Sequence, residues 1–415
     1  MADSPNTIST GSLNAIIKDA LHDTIVKTVP ESNKLQRMIP LEQKFGRKYL
    51  VPVFLADEHG VTYSKPDNGS FALEDSVPAV SQEAQVEPFQ LIQKATMSYE
   101  AAFRTEGGGK RAHVDGIRAV MENMVSSLRK RVEIDLLHGQ VGIGAVSAIT
   151  AGSPSFVISD ASWAPGIWAG LKNAKIAILD SGLAAAEDVD ETISSVNLQT
   201  KTVTVGNNQS LDAGDLIYFK GSVVAGSPAT HHSMPGLSRI IGNTGTLFNI
   251  DASAYELWRG TTVSAVGALT IAKVLDAVSY AVQRGCMEDL VFLCSPKAFE
   301  KLNSTLADLR RLDASYRPSK VESGAENITL HSQNGKLEIV SHLFCKDGEA
   351  FIFPVKKMKR LGATDITFKR PNANGGEEMI KESAASAGFE LRAYTSQSLF
   401  CEMPAWTVAL TGITY

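Results

Sequence analysis

Near the N-terminus, the pattern of apolar and polar residues predicts two extended segments separated by a long polar excursion. Residues 47–55, RKYLVPVFL, are rich in β-formers, whereas residues 56–78 are dense in turn formers. Residues 85–103 then return as a second extended segment. Its apolar members alternate imperfectly with polar neighbours and are Val86, Phe89, Leu91, Ala95 and Met97. A connection this long predicts an extended hairpin whose tip has a function or a partner.

Residues 110–138 predict one long helix with a narrow apolar seam. The seam residues recur every three or four positions and are Val114, Ile117, Met121, Met124, Leu128, Val132 and Leu136. Charged residues fill the other faces, and Gly139 suits the end of the helix. Such a helix is about 40 Å long. Since neither the hairpin nor this helix can bury itself in a compact monomer, we expect a partner, such as another copy of the chain.

The rest of the chain predicts a compact α/β core with a β-rich insertion. Residues 165–182, 269–285 and 296–312 have helical patterns. Short alternating strands with frequent Gly, Asn and Asp fill residues 188–262. The remaining predicted strands are 289–296, 336–342, 350–355, 363–370, 388–402 and 407–413. A further short helix is predicted around Leu13–Val29.

Composition narrows the class of protein. The 415 residues are 44% hydrophobic and 20% charged, which is typical of a soluble globular protein, and the formal net charge is −5. No global basic field therefore predicts nucleic-acid binding. The N-terminus is polar, and no run of 18 apolar residues could span a bilayer. We expect a soluble protein made inside a cell, without a membrane partner.

The motifs that could carry chemistry are weak. The run 106–112, EGGGKRA, lacks the glycine spacing of a phosphate loop, so we interpret it as a hinge. His231 and His232 have no further ligand at metal-binding spacing. The four cysteines are far apart, which predicts buried free thiols; they are Cys286, Cys294, Cys345 and Cys401. We predict no catalytic, cofactor-binding or metal-binding residues and no cofactor.

Two basic runs and three aromatic residues leave alternatives open. Residues 129–131 and 356–360 are interpreted as solvated faces balanced by acids, although the second run could contact an acidic subunit surface or nucleic acid. Tyr218, Tyr255 and Trp258 could stack on sugars, but they are more often core residues.

The order of these elements resembles the major capsid protein of tailed double-stranded DNA phages, of the Hong Kong 97 type. Two stretches carry the resemblance most clearly: 269–302 is similar to the helix–strand–helix of the A-domain, and 388–413 to the closing strands of the P-domain. The resemblance implies an α+β capsid fold. Its domains would be an N-arm at 1–46, an E-loop at 47–105, a spine helix and part of the P-domain at 106–164, part of the A-domain at 165–187, the β-rich insertion at 188–262, the A-domain at 263–355 and the P-domain return at 356–415.

The resemblance also implies partners. The chain would assemble with itself into pentamers and hexamers of an icosahedral phage head, which encloses double-stranded DNA with only weak contact. No long acidic helical segment precedes the arm, so we expect a separate scaffolding protein together with a portal, and a decoration protein could also bind. The protein would be made in the host bacterial cytoplasm and reside in the virion capsid. Some members cross-link a lysine to an asparagine; Lys65 is near the hairpin tip, but no asparagine or glutamate partner is assigned.

Two alternatives to a phage capsid remain. The same fold serves as an encapsulin-like nanocompartment shell, which holds an enzyme cargo instead of a genome. An α/β enzyme with a β insertion is the second alternative, and it predicts convergent polar side chains in a pocket of one subunit.

Overall fold

A computed structural model describes residues 29–65, 69–98, 116–149, 152–209, 211–310, 328–333, 335–368, 370–371, 377–378, 380–382 and 388–415. The predicted helix at 13–29, the hinge at 106–112 and Val114 lie outside these residues, apart from Val29. The chain divides into two compact units. The larger unit contains Pro30–Ile92, Ser126–Thr367 and Ala393–Tyr415, and the smaller contains Gln93–Val125 and Phe368–Arg392.

The helices in chain order are α1 Lys34–Met38, α2 Gly116–His138, α3 Pro165–Trp168, α4 Leu237–Ile241, α5 Ile271–Gln283 and α6 Pro296–Arg310. The strands are β1 Leu41–Gln43, β2 Tyr49–Ala56, β3 Val80–Val86, β4 Phe89–Ser98, β5 Gly144–Ile149, β6 Ser153–Ile158, β7 Lys175–Leu179, β8 Ala186–Asn197, β9 Thr202–Gln209, β10 Leu216–Phe219, β11 Val223–Val224, β12 Thr230–His231, β13 Thr246–Leu247, β14 Ile250–Asp251, β15 Thr261–Val263, β16 Gly267–Ala268, β17 Leu290–Cys294, β18 Ile328–Ser332, β19 Gly335–Ser341, β20 Glu349–Phe353, β21 Met358–Thr367, β22 Arg370–Pro371, β23 Glu377–Glu378, β24 Ile380–Glu382, β25 Gly388–Cys401, β26 Val408–Thr411 and β27 Ile413–Thr414.

A six-stranded mixed sheet forms one core of the larger unit, in the order β15-β26-β20-β17-β19-β18. All five residues of β17 are buried, as expected for a central strand covered on both faces. The apolar stripe of α5, including Val274 and Val278, packs into the same core as Phe292. Thr270 caps α5 by accepting a hydrogen bond from the Lys273 backbone N–H. The predicted helices at 269–285 and 296–312 and the predicted strands at 289–296, 336–342 and 350–355 are therefore confirmed in the described residues.

A closed barrel forms a second part of the larger unit, with the strand order β10-β5-β6-β9-β8-β7. Closure leaves no open sheet edge, and the interior is filled by apolar side chains such as Phe156, Ile178 and Ile217. The barrel strands come from 144–219, whereas the sequence pattern placed the β-rich insertion at 188–262. The first three barrel strands, β5, β6 and β7, lie in the ranges 106–164 and 165–187, which the prediction assigned to the P-domain and the A-domain.

The predicted helix at 165–182 is wrong. Only α3 forms, and β7 follows it as a barrel strand whose last four residues are buried. Gly170 and Asn173 adopt positive φ angles of 81° and 66°, which end the helix. The β-branched pair Ile176 and Ile178 then favours the extended chain.

The long helix α2 is confirmed over its described residues, but its expected narrow seam is wrong for the C-terminal half. From Val132 to Gly139 every residue is buried, charged ones included. Val132 and Leu136 share a core with Trp168 and with the barrel interior. This half of the helix is therefore a central element of the larger unit rather than a helix lying on its surface.

In the smaller unit, the described residues form strand pairs with β25. β24 pairs with β25 in antiparallel register, with Ile380 opposite Leu391. β4 also pairs with β25, and a Cβ added at Gly388 would lie 2.4 Å from the Met97 carbonyl oxygen. Lys94 forms an ion pair with Glu390 at 2.8 Å.

Candidate assembly surface

The hairpin of β2 and β3 has one buried and one exposed face. The strands pair antiparallel from Tyr49 opposite Val86 to Phe54 opposite Ser81. Successive side chains of a strand point to opposite faces, so the alternation in β2 decides what is buried. Val51, Val53 and Leu55 pack against a core that contains Trp258. This packing fixes the hairpin on the larger unit.

The opposite face of the hairpin exposes large apolar side chains. Leu50 is 55% exposed and Phe54 is 78% exposed, although both belong to a regular strand. A strand with apolar residues on both faces is typical of one that is buried on both sides. Among the described residues of one copy of the chain, nothing buries this outer face, so its apolar side chains are available to contact another molecule.

The connection between the two strands continues this exposure. The residues Val61, Tyr63, Phe71, Leu73 and Val77 are between 50% and 93% exposed. Two contacts cross the described part of this connection: His59 pairs with Val77, and the Glu74 backbone N–H donates to the Thr62 hydroxyl at 2.9 Å. We call the exposed apolar residues of 45–92 the hairpin surface, and its members are Phe45, Leu50, Phe54, Val61, Tyr63, Phe71, Leu73, Val77, Val80 and Ile92.

The hairpin surface holds 10 of the 19 large apolar residues that are exposed in the described chain. Single exposed apolar residues are normal, but a concentration of them in one segment is typical of an interaction site. The second extended segment, predicted at 85–103, differs from the prediction. β3 ends at Val86, Pro88 interrupts the strand, and β4 pairs with β25 instead of β2. The missing N–H of Pro88 explains the break.

The segment that precedes the hairpin is held by a buried carboxylate of α2. The Glu133 carboxylate accepts the backbone N–H groups of Leu35 at 2.7 Å and Gln36 at 3.2 Å. His342 Nε2 lies 2.9 Å from the same carboxylate, and both side chains are buried. Because the Phe344 N–H donates to His342 Nδ1 at 3.2 Å, Nε2 carries the proton and donates to Glu133. Leu35 itself is 1% exposed.

We call residues 30–44 the strap, since further contacts tie them across the larger unit. β1 pairs in parallel with β21 from Leu41 opposite Arg360 to Gln43 opposite Gly362. Lys34 Nζ donates to the Ser341 carbonyl at 2.7 Å. The strap thus fixes the point from which the hairpin leaves the core. No sequence signal indicated this cluster, because Glu133 and His342 are 209 residues apart.

The basic run at 129–131 is not the solvated face that was expected. Lys130 is buried and donates to the Ala169 carbonyl at 2.6 Å, and the Arg131 guanidinium lies 3.0 Å from the Phe219 ring centroid. Desolvation lowers the Arg131 pKa to about 10 and raises the pKa of the neighbouring Asp135 to about 6. Only Arg129 is exposed.

The second basic run, 356–360, is largely paired with acids, as the sequence interpretation held. Lys356 lies 3.6 Å from Glu288, and Lys359 lies 2.6 Å from Glu402. The exception is Arg360, which is 2% exposed and contacts Asp365 at 3.4 Å. Lys65, the candidate cross-linking lysine, is exposed at the hairpin tip.

The other candidates form no reactive site in the described residues. All four cysteines are free and buried, which confirms the predicted free thiols, and burial raises the pKa of Cys294 and of Cys401 to about 12. Trp258 and Tyr218 are buried core residues, and Tyr255 packs beside Trp258. His231 is half-buried, with its ring 6.5 Å from that of Tyr218, and His232 is exposed.

Across the described ranges, no three His, Cys, Asp or Glu side chains are grouped so that they could hold a metal ion. No helix among the described residues has both the length and the apolar character needed to cross a membrane.

Comparison with known proteins places the fold. No protein-family model and no curated protein sequence matches the chain. A chain of the Cyanophage A-1(L) capsid asymmetric unit matches with a TM-score of 0.60 at 13% identity, covering 98% of this chain and 100% of that one. The capsid of a native GTA particle matches with a TM-score of 0.54 at 9% identity, covering 99% and 100%. The empty GTA particle gives 0.53 at the same identity and coverage.

The chain therefore has the capsid-protein fold, a mixed α/β fold of the Hong Kong 97 type. The resemblance drawn from the order of elements is confirmed at the level of the fold.

Proposed function

We propose that the chain is the major capsid protein of a tailed double-stranded DNA phage. It is a structural, non-enzymatic subunit that assembles with itself into pentamers and hexamers of an icosahedral head. The observation that carries this proposal is the extent of the fold match, which spans 98% of this chain and 100% of the cyanophage capsid chain. The fold likeness therefore includes nearly the whole chain and is not limited to one domain.

The hairpin surface supports the proposal independently. Its apolar residues are exposed in one copy, and a regular assembly repeats the same contact at every subunit. In this proposal the hairpin is the E-loop, α2 is the spine helix, the six-stranded sheet belongs to the A-domain, and β21 and β25 belong to the P-domain. The inserted domain is the barrel at 144–219 instead of the region 188–262.

The proposed partners follow from this role. A separate scaffolding protein and a portal would act during assembly, a decoration protein could bind the outside, and packaged DNA would lie inside with weak contact. The location is the virion capsid, after synthesis in the host bacterial cytoplasm.

The test is to express the chain and examine it by negative-stain electron microscopy together with size-exclusion light scattering. We expect closed shells, tubes or rings of five or six subunits. A strict monomer at every protein and salt concentration would contradict assembly of the chain on its own and would leave only assembly with the scaffolding protein. Native particles that hold an enzyme instead of DNA would support the nanocompartment alternative and refute the phage assignment.

A further inference from the structure

A polar cleft in the larger unit has features that the shell proposal does not use. The cleft has a volume of about 240 Å³ and lies where α4, β15 and the end of α5 meet. Its polar lining residues are Asn243, Thr244, Arg259, Thr261, Thr262 and Arg284. Two of the six are arginines, so the charge balance of the cleft decides what it could bind.

The two arginines share one carboxylate. Arg259 Nη2 lies 3.4 Å and Arg284 Nη2 lies 3.2 Å from the same oxygen, Oε1 of Glu256. Arg284 Nη1 also donates to the Arg259 carbonyl at 3.1 Å. Within the described part of the chain, neither arginine lies within ion-pair distance of a second carboxylate. The site thus has one uncompensated positive charge and several unused N–H donors, since each guanidinium has five.

Two threonines of the cleft lining are exposed, Thr244 and Thr262. Their hydroxyls are open to solvent and can each donate one hydrogen bond to an oxygen ligand in the cleft. Thr261 belongs to the wall, where its backbone N–H donates to the Thr407 carbonyl at 3.0 Å.

The walls of the cleft are fixed in place by close packing. A Cβ at Gly260 would lie 2.6 Å from Thr407 Oγ1 and 2.9 Å from the Ile241 carbonyl oxygen. Asn243 is 1% exposed, and its side-chain amide donates to the Gly245 carbonyl at 2.9 Å. Close packing at these two positions reduces the ordering that ligand binding would require.

We propose that this cleft binds one tetrahedral oxyanion of the phosphate class. Paired guanidinium groups match the geometry of phosphate oxygens, and the exposed hydroxyl of Thr244 or Thr262 can donate to a third oxygen. The ligand would compete with the Glu256 carboxylate, whose side chain is 66% exposed and free to turn into solvent. Phosphate could come from the free ion or from a nucleic-acid backbone, which share this chemistry. Assembly is not required, so the proposal does not depend on the proposed function.

The test is isothermal titration of the full chain with inorganic phosphate, with chloride balanced to constant ionic strength. We expect saturable binding that Arg284→Gln weakens about tenfold or more, as for loss of a charge-assisted hydrogen bond. Glu256→Gln should strengthen binding by about two- to fivefold, because the competing exposed ion pair is removed. Arg37→Gln is the matched control, since Arg37 is an exposed arginine outside the cleft, and it should leave binding unchanged.

A phosphate site predicts opposite changes in phosphate affinity: Arg284→Gln lowers it and Glu256→Gln raises it. A purely structural ion pair predicts no such opposition, because both substitutions would weaken that ion pair. The proposal is overturned if the wild type gives no saturable heat, or if Glu256→Gln binds phosphate more weakly than the wild type. The measurement on Glu256→Gln remains decisive even where Arg284→Gln fails to fold. A short double-stranded oligonucleotide is titrated in parallel. Displacement of phosphate by the oligonucleotide assigns the site to nucleic-acid phosphate, whereas binding of inorganic phosphate alone assigns it to the free ion.

Discussion

Phe54 on the hairpin surface offers the sharpest perturbation of the proposed assembly. The side chain is 78% exposed, so Phe54→Asp removes almost no burial from the isolated chain. Exposed substitutions usually change stability by about 0.5 kcal/mol or less, and the lower strand propensity of Asp costs at most about 1 kcal/mol. We therefore expect a folded monomer with nearly unchanged thermal stability.

The effect on assembly should be much larger. Full burial of a Phe side chain contributes about 1.5–3 kcal/mol, so the 78% that remains exposed is worth about 1–2 kcal/mol at each subunit contact. An aspartate buried there without a partner adds a cost of several kcal/mol. Because each 1.4 kcal/mol changes an equilibrium tenfold, the association constant at each contact should fall by at least about tenfold. A ring repeats that loss at every subunit.

The assay combines circular dichroism for folding with size-exclusion light scattering and electron microscopy for assembly. Phe54→Leu is the control, because it keeps an apolar residue at the same position of β2. Assembly of Phe54→Asp at the wild-type concentration threshold, with the monomer folded, would refute the argument that the outer face is buried between copies.

Three further predictions follow from the described contacts. Deletion of Val61–Pro78 should leave the monomer folded, since none of its described residues belongs to a buried core cluster. The deletion should abolish closed particles in electron micrographs, and normal particles would contradict the role of the hairpin tip. Glu133→Gln removes a charged acceptor from the backbone N–H groups of Leu35 and Gln36. We therefore expect it to lower the free energy of unfolding in urea by about 2–3 kcal/mol and to increase amide hydrogen exchange at these two residues. Unchanged exchange would show that the strap is held by other contacts. Burial raises the Asp135 pKa to about 6 from an unfolded value near 3.8, so the folded chain binds this proton more tightly and loses stability as the pH rises from about 4 to 6. Asp135→Asn should therefore gain about 2–3 kcal/mol relative to the wild type between pH 4 and pH 7 in denaturant titrations, and a pH-independent difference would contradict that pKa.

Much of the core could be predicted because the spacing of apolar residues within one helix or strand shows which of its faces is buried. The amphipathic stripe of α5 and the continuous apolar run of β17 both indicate their burial directly. The long connection of the hairpin likewise led to the expectation of a partner, and the apolar residues exposed on β2 agree with it.

The failures arise where distant segments decide the outcome. Glu133 is charged and sits in a charged helix, so its burial depends on His342 and the strap, neither of which is near in sequence. Ile167, Leu171 and Ile178 have a helical spacing, whereas Ile176 and Ile178 have the spacing of a strand. Only barrel closure with β8 and β10 selects the strand. The cleft at Arg259 and Arg284 was missed for the same reason, since 25 residues separate them.

The most direct test of the central claim is the accessibility of the hairpin surface in assembled and dissociated protein. A Phe54→Cys variant introduces one exposed thiol, while the four native thiols are buried and report any unfolding. We expect a maleimide to label the introduced thiol rapidly in dissociated subunits and at least tenfold more slowly in assembled particles. Equal labelling rates in intact particles and in free subunits would contradict an assembly built on the hairpin surface.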